Sequence, residues 1–349
     1  MRQTLLALTA IVLGVLPASG QGRMTRTTDG QHPATESHMG GPYTRTDGRV
    51  ARGMPDVVAE GAKVEFVGEF PSTEGPIAAP DGSLLFNEQG RTIRIDKDNK
   101  ASVFLDIGGS LAFDSKGRII ATQRGKIISI FGSGREAVLA DAFNGKLLDR
   151  PNDLVVDRKG GVYFTDPGAV PVIGGNHPTY VYYLKPDGNV ILLADNIVRA
   201  NGIQLSPDEK TLYVNDTYGE YVHAFDVLPD GSVRNQRRFA RLEGISTPST
   251  GPLEFGAYTT RGLSVDPDTG IRSGADGLAI DSEGRLYVAS DAGVQVFSPN
   301  GERLGTINTQ RSVQNLAFAG PDKKTLYVLG RGGVYKIAML AQGYQGRAK

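Results

Sequence analysis

Glu74, Asn152, Asn201 and Asp276 are the residues of this chain whose types and spacing add up to chemistry. Each stands at the same phase of a recurring unit, just ahead of a short apolar run such as Gly202-Ile203-Gln204-Leu205 or Gly277-Leu278-Ala279-Ile280. The same slot holds Gly109 and Gln314 in two further units, so five of the six slot residues carry a side-chain oxygen and none is basic or apolar. Two carboxylates crowded onto one axis repel, and one is driven towards protonation unless a cation lies between them. With the amide oxygens of Asn152 and Asn201 beside them, Glu74 and Asp276 balance the charge of one hard divalent cation and leave room for water or substrate. All-oxygen ligation places Ca²⁺ first, then Mg²⁺ or Mn²⁺, with Zn²⁺ as an outlying candidate because it favours nitrogen and sulfur. An Asn or Asp ahead of Gly is also ordinary turn chemistry. No single position therefore carries the reading; four oxygens in register do.

Residues more than a hundred positions apart meet only if something regular brings them together. From about residue 60 the chain repeats a pattern of apolar run, Asp or Ser-Pro-Asp, Gly or Lys turn, and second apolar run. Ile203 to Val214 is one copy and Leu278 to Val288 another. Leu154-Val155-Val156-Asp157 leads to Gly161-Val162-Tyr163-Phe164, and Leu111-Ala112-Phe113-Asp114 to Arg118-Ile119-Ile120-Ala121. Further β-branched and aromatic runs follow each copy, broken by Asp-Gly and Asn-Gly hairpin signals such as Asp187-Gly188 and Asn300-Gly301. Units of roughly forty residues with four short strands each predict an all-β, six-bladed β-propeller. The last unit runs short of a strand near Met339, and Val64-Glu65-Phe66-Val67 can supply it, closing the ring with an N-terminal strand. In a propeller the first strand of each unit is innermost, so the slot surrounds one mouth of the central channel.

Composition narrows the rest. The 349 residues hold 46 Gly and 19 Pro, a load of turn formers suited to many short strands. Lys and Arg (38) balance Asp and Glu (38), and no polybasic block offers a surface for nucleic acid. There is no Cys, which excludes thiol catalysis and thiolate metal sites. Arg2, the apolar stretch Leu5 to Leu16 and the small residues Ala18-Ser19-Gly20 read as an export signal over residues 1–20, too short for a membrane span. The expected location is periplasmic or extracellular, with no membrane span in the mature protein. Residues 21–60 lack apolar periodicity and read as a flexible spacer, His32 and His38 included. The propeller then spans 61–340, followed by a tail over 341–349.

Glu74-Gly75-Pro76, Arg150-Pro151-Asn152-Asp153, Asn201-Gly202 and Asp276-Gly277, in that order and repeat phase, resemble the motifs of the gluconolactonase and senescence-marker-protein (regucalcin) family. The resemblance covers about residues 62–340. It implies a six-bladed propeller with one catalytic divalent cation that hydrolyses lactones and, in some relatives, phosphotriesters. It further implies that Glu74, Asn201 and Asp276 are metal ligands, that Asn152 lies at the metal or contacts substrate, and that Arg150 contacts substrate. Two motifs depart from the family. Ile77-Ala78 stand where an aromatic is common, and Thr122-Gln123-Arg124-Gly125 replace a Cys-Glu-His-Gly run. Both departures bear on substrate identity.

The expected activity is metal-dependent opening of a lactone or related ester. The cation polarises the carbonyl, and a carboxylate, Asp276 first and Glu74 second, helps to take the proton of the attacking water. A non-catalytic ligand-binding propeller and a phosphotriesterase-type hydrolase on the same site are the alternatives. Asp166 and Asp216 each end the second strand of a unit and return beside the slot, where they can support its ligands. His177 and His223 have no Ser or carboxylate partner at suggestive spacing, so a Ser-His-Asp hydrolase is not expected. The long stretch from Leu242 to Gly274 ahead of Asp276 reads either as a lid over the mouth or as a surface loop.

Overall fold

The computed structural model describes residues 49–71, 73–130, 135–168, 179–245 and 271–349. The chain divides into two compact units, 1–38 and 39–349, and the first lies outside the described residues. So do the export signal, most of the spacer, His177 and residues 246–270 of the stretch read as lid or loop.

The second unit is a six-bladed β-propeller: six four-stranded antiparallel sheets, with no helix among the described residues. The innermost strands of blades 1 to 6 are Thr73–Ala78, Leu111–Phe113, Leu154–Val156, Ala200–Leu205, Leu278–Ile280 and Val313–Ala319. Blade 6 takes its outermost strand from the start of the domain. Glu65–Gly68 pairs antiparallel with Gly333–Ala338, Glu65 opposite Lys336 and Phe66 opposite Tyr335. This is the closure expected from Val64-Glu65-Phe66-Val67, and it leaves neither end of the ring as a free interior edge.

Alternation within each strand decides what packs where. In blade 1, Leu84 and Phe86 face blade 6 while Leu85, one residue along, faces blade 2. Repeated round the ring, this period of two yields six apolar clusters, one for each contact between neighbouring blades. The Asp that recurs after the first apolar run has a purely structural use. Asp114, Asp157 and Asp281 each accept the backbone amides two and four residues ahead at 2.8–3.0 Å, which turns the chain from first strand to second. These turns lie at the end of the innermost strands opposite the slot, so the second strand must run back to the slot.

The segments read as spacer and as tail both pack on the propeller. Ala51, Met54, Val57 and Val58, within the spacer predicted to extend to 60, are buried against blades 5 and 6. Sparse apolar residues without periodicity gave no sign of this, because the segment docks by a few side chains and not as a strand or helix. Met54→Ala is expected to lower the unfolding free energy by about 2–4 kcal/mol, through lost contacts and the cavity left behind. Urea unfolding followed by β-sheet circular dichroism checks this, and an unchanged midpoint would show the segment to be dispensable. Residues 342–349, expected as a tail, cross the turn face of the ring, where Ser282 donates to the Gln342 carbonyl and Ala78 to that of Ala348.

Candidate metal and active site

The six slot residues share one signature. Glu74, Gly109, Asn152, Asn201, Asp276 and Gln314 are each half-buried, and each lies between two buried neighbours. They are the points at which the innermost strands open onto the channel mouth. Asn152 Nδ2 donates to Asn201 Oδ1, so blades 3 and 4 meet directly across the ring. Asn201 Nδ2 donates to Thr217 Oγ1 at 3.0 Å, and that hydroxyl donates to the Ala275 carbonyl at 2.7 Å, beside Asp276. From blade 6, Asn315 Nδ2 reaches Glu74 Oε2 of blade 1 at 3.3 Å.

The residue after each slot explains the Gly of the motifs. A Cβ on Gly202 would lie 2.0 Å from the Asp276 carbonyl oxygen, and one on Gly277 would lie 1.9 Å from Asn315 Oδ1. Gly75 combines a left-handed φ of 55° with a Cβ position 2.3 Å from the Ser110 Cα. In each case the head of the next blade occupies the space. At two of the positions that are not Gly, Asp153 and Asn315, the side chain makes a contact forward. Asp153 Oδ2 accepts the Ile203 amide of blade 4 at 3.1 Å, as Asn315 reaches Glu74. Second-strand hydroxyls and amides add a belt in the same direction. Thr122 Oγ1 donates to the Asn152 carbonyl at 3.0 Å, Thr165 Oγ1 to that of Asn201 at 2.6 Å, and Asn215 Nδ2 to that of Asp276. The slot is therefore held to its backbone positions from both sides.

Electrostatics at the mouth follow from crowding. Burial pushes the Glu74 carboxyl up, and Asp153 adds to this, while Asn315, Arg331 and Arg150 oppose it. Asp276 is raised well above the usual carboxylate range, first by burial and then by Glu74. Both side chains touch the channel yet have protein around them on the other sides, so solvent does little to separate their charges. Among the described residues the Asp276 carboxylate accepts no hydrogen bond, and no three His, Cys, Asp or Glu side chains form a group able to hold a metal ion. Two carboxylates and two side-chain amides at these strand heads are hard oxygen donors, a chemistry that fits a hard divalent cation better than a soft metal.

Three arginines absent from the motifs surround this pair. Arg331, which follows the second strand of blade 6, and Arg272, just ahead of blade 5, both oppose the rise of Asp276. Arg272 is itself engaged by Asp291, with Nε–Oδ2 at 2.6 Å and Nη2–Oδ1 at 3.1 Å. Arg199, ahead of blade 4, donates to the Pro167 carbonyl at 3.3 Å and is pushed down by burial. Each lies in a connection between strands, whose orientation is invisible without the ring.

Asp166 and Asp216 end the second strands of their blades, where their oxygens are taken up by backbone amides of the adjoining turns. Asp166 accepts the amides of Asp149, Arg150 and Gly168 at 2.7–3.3 Å; Asp216 accepts those of Val198, Arg199 and Tyr218 at 2.9–3.2 Å. They shape the turns that carry Arg150 and Arg199. Their effect on the slot is one step removed. His223 lies in the third strand of blade 4 beside Gln236, with its pKa lowered by burial.

A cavity of about 500 Å³ opens beside Glu74 and Asn152. Gly109 lines it, and so do Thr122, Gln123, Arg124 and Arg150. The slot of blade 2 is bare at this space, and Thr122, Gln123 and Arg124, three of the residues that depart from the resembled motifs, are in its wall.

The fold and these motifs agree with what comparison finds. Residues 72–330 match the model of the SMP-30/gluconolactonase/LRE-like region. A gluconolactonase of Zymomonas mobilis is 27% identical over 90% of this chain and 91% of its own. The solved structure of a gluconolactonase from Xanthomonas campestris superposes with a TM-score of 0.65 at 26% identity, covering 83% of this chain and 97% of that one. A regucalcin from Agrobacterium tumefaciens, described as a calcium-binding protein, shares the fold alone, with a TM-score of 0.64 at 18% identity over 81% of this chain and 95% of its own. With the matched region running from the head of blade 1 to the second strand of blade 6, this chain belongs to the SMP-30/gluconolactonase/LRE-like family.

Proposed function

We propose that this protein is a lactonase that works with one divalent cation, Ca²⁺ first among the candidates, held by Glu74, Asn152, Asn201 and Asp276. The observation that carries the reading is the slot itself: four oxygen-bearing side chains at equivalent strand heads, with the Asp276 carboxyl raised by burial and by the Glu74 charge beside it. A scaffold propeller has no use for such a pair at its axis. A cation bound there supplies Lewis acidity, stabilising the negative charge that develops on the lactone carbonyl oxygen.

The chain's own groups do the rest. Asp276, whose carboxylate accepts no hydrogen bond among the described residues and has raised proton affinity, takes the proton as water oxygen bonds to the carbonyl carbon. Glu74, already engaged by Asn315, is the second choice for that proton. The ring C–O bond then breaks and its oxygen leaves with the proton that Asp276 took from water, giving the open hydroxy acid and restoring the carboxylate. Arg150, on a turn held by Asp166 and lining the 500 Å³ cavity, positions the polyol or the ring oxygen.

A hydrolysis screen over sugar lactones, acyl lactones and aryl esters, with the protein stripped of metal and then resupplied, tests the reading. Turnover of no lactone with any of Ca²⁺, Mg²⁺, Mn²⁺ or Zn²⁺ would overturn it. Within the same assay Arg150→Ala is expected to lower kcat/KM by about 10- to 100-fold, mostly through KM, with cation affinity near normal. Equal loss of cation affinity would move Arg150 from substrate binding to support of the metal ligands.

A further inference from the structure

Lys349 has an unusual position for a lysine. Its side chain is 2% exposed and pairs with Asp153, which is 3% exposed. Its Nζ also donates to the Leu154 carbonyl at 3.3 Å and the Ile203 carbonyl at 3.4 Å. Leu154 and Ile203 follow the slot residues Asn152 and Asn201 by two positions on the same innermost strands. The ammonium group therefore occupies the channel directly beneath the slot, having entered from the opposite face.

The segment that delivers it is bound all the way across that face. Tyr344 donates its amide to Ile280 of blade 5 at 3.1 Å, and Gly343 pairs with Asp281. Lys323 of blade 6 donates to the Tyr344 carbonyl at 2.8 Å and to that of Arg347. Arg347 crosses to blade 4, with 3.1 Å to both Glu209 Oε1 and the Ser206 carbonyl, and its guanidinium lies 4.8 Å from the Tyr344 ring. The Ala348 carbonyl accepts the Ala78 amide of blade 1, and Ala348 packs against the apolar cluster between blades 1 and 2. Such extensive fixing of a short segment serves a side chain that has one place to go.

We infer that residues 342–349 form a plug whose function is to fix the Lys349 ammonium below the metal ring, making Lys349 a positioning residue of the catalytic centre. Without it the channel would hold three carboxylates in succession, Glu74, Asp276 and Asp153, and a divalent cation would be drawn down towards Asp153, away from the mouth. With it the Asp153 charge is neutralised from below, and the negative charge that remains lies at the mouth where a substrate arrives. Lys349 acts as a built-in monovalent cation at the inner end of the channel. The same plug closes the channel to water from the far side. The inference rests on the cation site proposed above.

Calorimetric titration of metal-stripped protein with CaCl₂, at one pH and ionic strength, tests it through the signs of two substitutions. Lys349→Met removes a positive charge next to a dication and should tighten Ca²⁺ binding by about fivefold or more, whereas Asp153→Asn should weaken it by a similar factor. The double variant Asp153→Asn/Lys349→Met removes both charges and should return to within about twofold of the unmodified protein, as should Lys349→Arg. A plug that merely clasps the blades would weaken binding in both single variants, because loosening the ring loosens the ligands. Weaker binding, or no change, in Lys349→Met overturns the inference while leaving the cation site in place. Should Lys349→Met lose its β-sheet signal, the double variant and Lys349→Arg, which leave no buried charge unpaired, carry the test. Affinity reduced more than about fivefold in both then overturns it. Unmodified protein that binds no Ca²⁺, Mg²⁺ or Mn²⁺ removes both the site and the inference.

Discussion

Asp276→Asn should suppress lactone hydrolysis by about 10³-fold and weaken cation binding by about 10²-fold or more, with the β-sheet circular dichroism intact. The substitution keeps the shape of the side chain and removes one of the two negative charges at the mouth. The carboxyl at this position is raised well above its usual range because it is buried against Glu74, so the same crowding that a cation relieves is relieved in the variant without one. Metal-free Asp276→Asn should accordingly be no less stable than the metal-free parent, and unfolding in urea with chelator present gives that comparison. Two functions are lost at once: a ligand oxygen with its charge, and the group assigned to receive the proton of water. Glu74→Gln removes the ligand charge alone and should retain more turnover when saturated with cation. Calorimetry and single-turnover hydrolysis on the pair separate the two roles. If Asp276→Asn binds Ca²⁺, Mg²⁺ and Mn²⁺ as the parent does, the slot is not a metal site.

Gly202→Ala should be as damaging to the site as the loss of a ligand, although no functional group is removed. A Cβ at this position would stand 2.0 Å from the Asp276 carbonyl oxygen, a backbone atom that cannot swing aside. That oxygen also accepts the Asn215 side-chain amide, so displacement breaks the belt that joins blades 4 and 5. The expected cost is about 2–4 kcal/mol of unfolding free energy, in the range of severe overpacking, together with a drop of about 10²-fold in kcat/KM as Asp276 shifts against Glu74. Gly188→Ala provides the contrast. It tolerates the same added methyl group in open space, though its φ of 91° imposes backbone strain. Its activity should persist, because a hairpin tip in blade 3 bears on no ligand. Equal activity of Gly202→Ala and the parent would mean that blade spacing at the mouth is slack.

Much of this protein was determined locally and so could be read from its sequence. The Asp two and four residues ahead of turn amides, the alternation of apolar residues and the Asp-Gly hairpins are contacts within a few residues of one another. Their repetition sets the blade count, and their phase puts Glu74, Asn152, Asn201 and Asp276 in one register. The fourth strand missing near Met339 and the spare strand at Glu65 likewise imply each other. Other features arise only where blades meet, and no sequence interval encodes them. Arg199, Arg272 and Arg331 come within electrostatic reach of Asp276 because ring closure turns three separate connecting segments towards one axis. Asp166 and Asp216 lie at the expected strand ends, yet which backbone amides their oxygens meet was decided by the fold of the adjoining turns. The packing of Met54 and Val57 depends on a concavity between blades 5 and 6 that exists only after both have formed. Lys349 is the clearest case: a lysine in a polar segment looks solvated, and only the closed channel, with Asp153 buried inside it, makes burial of the ammonium group favourable.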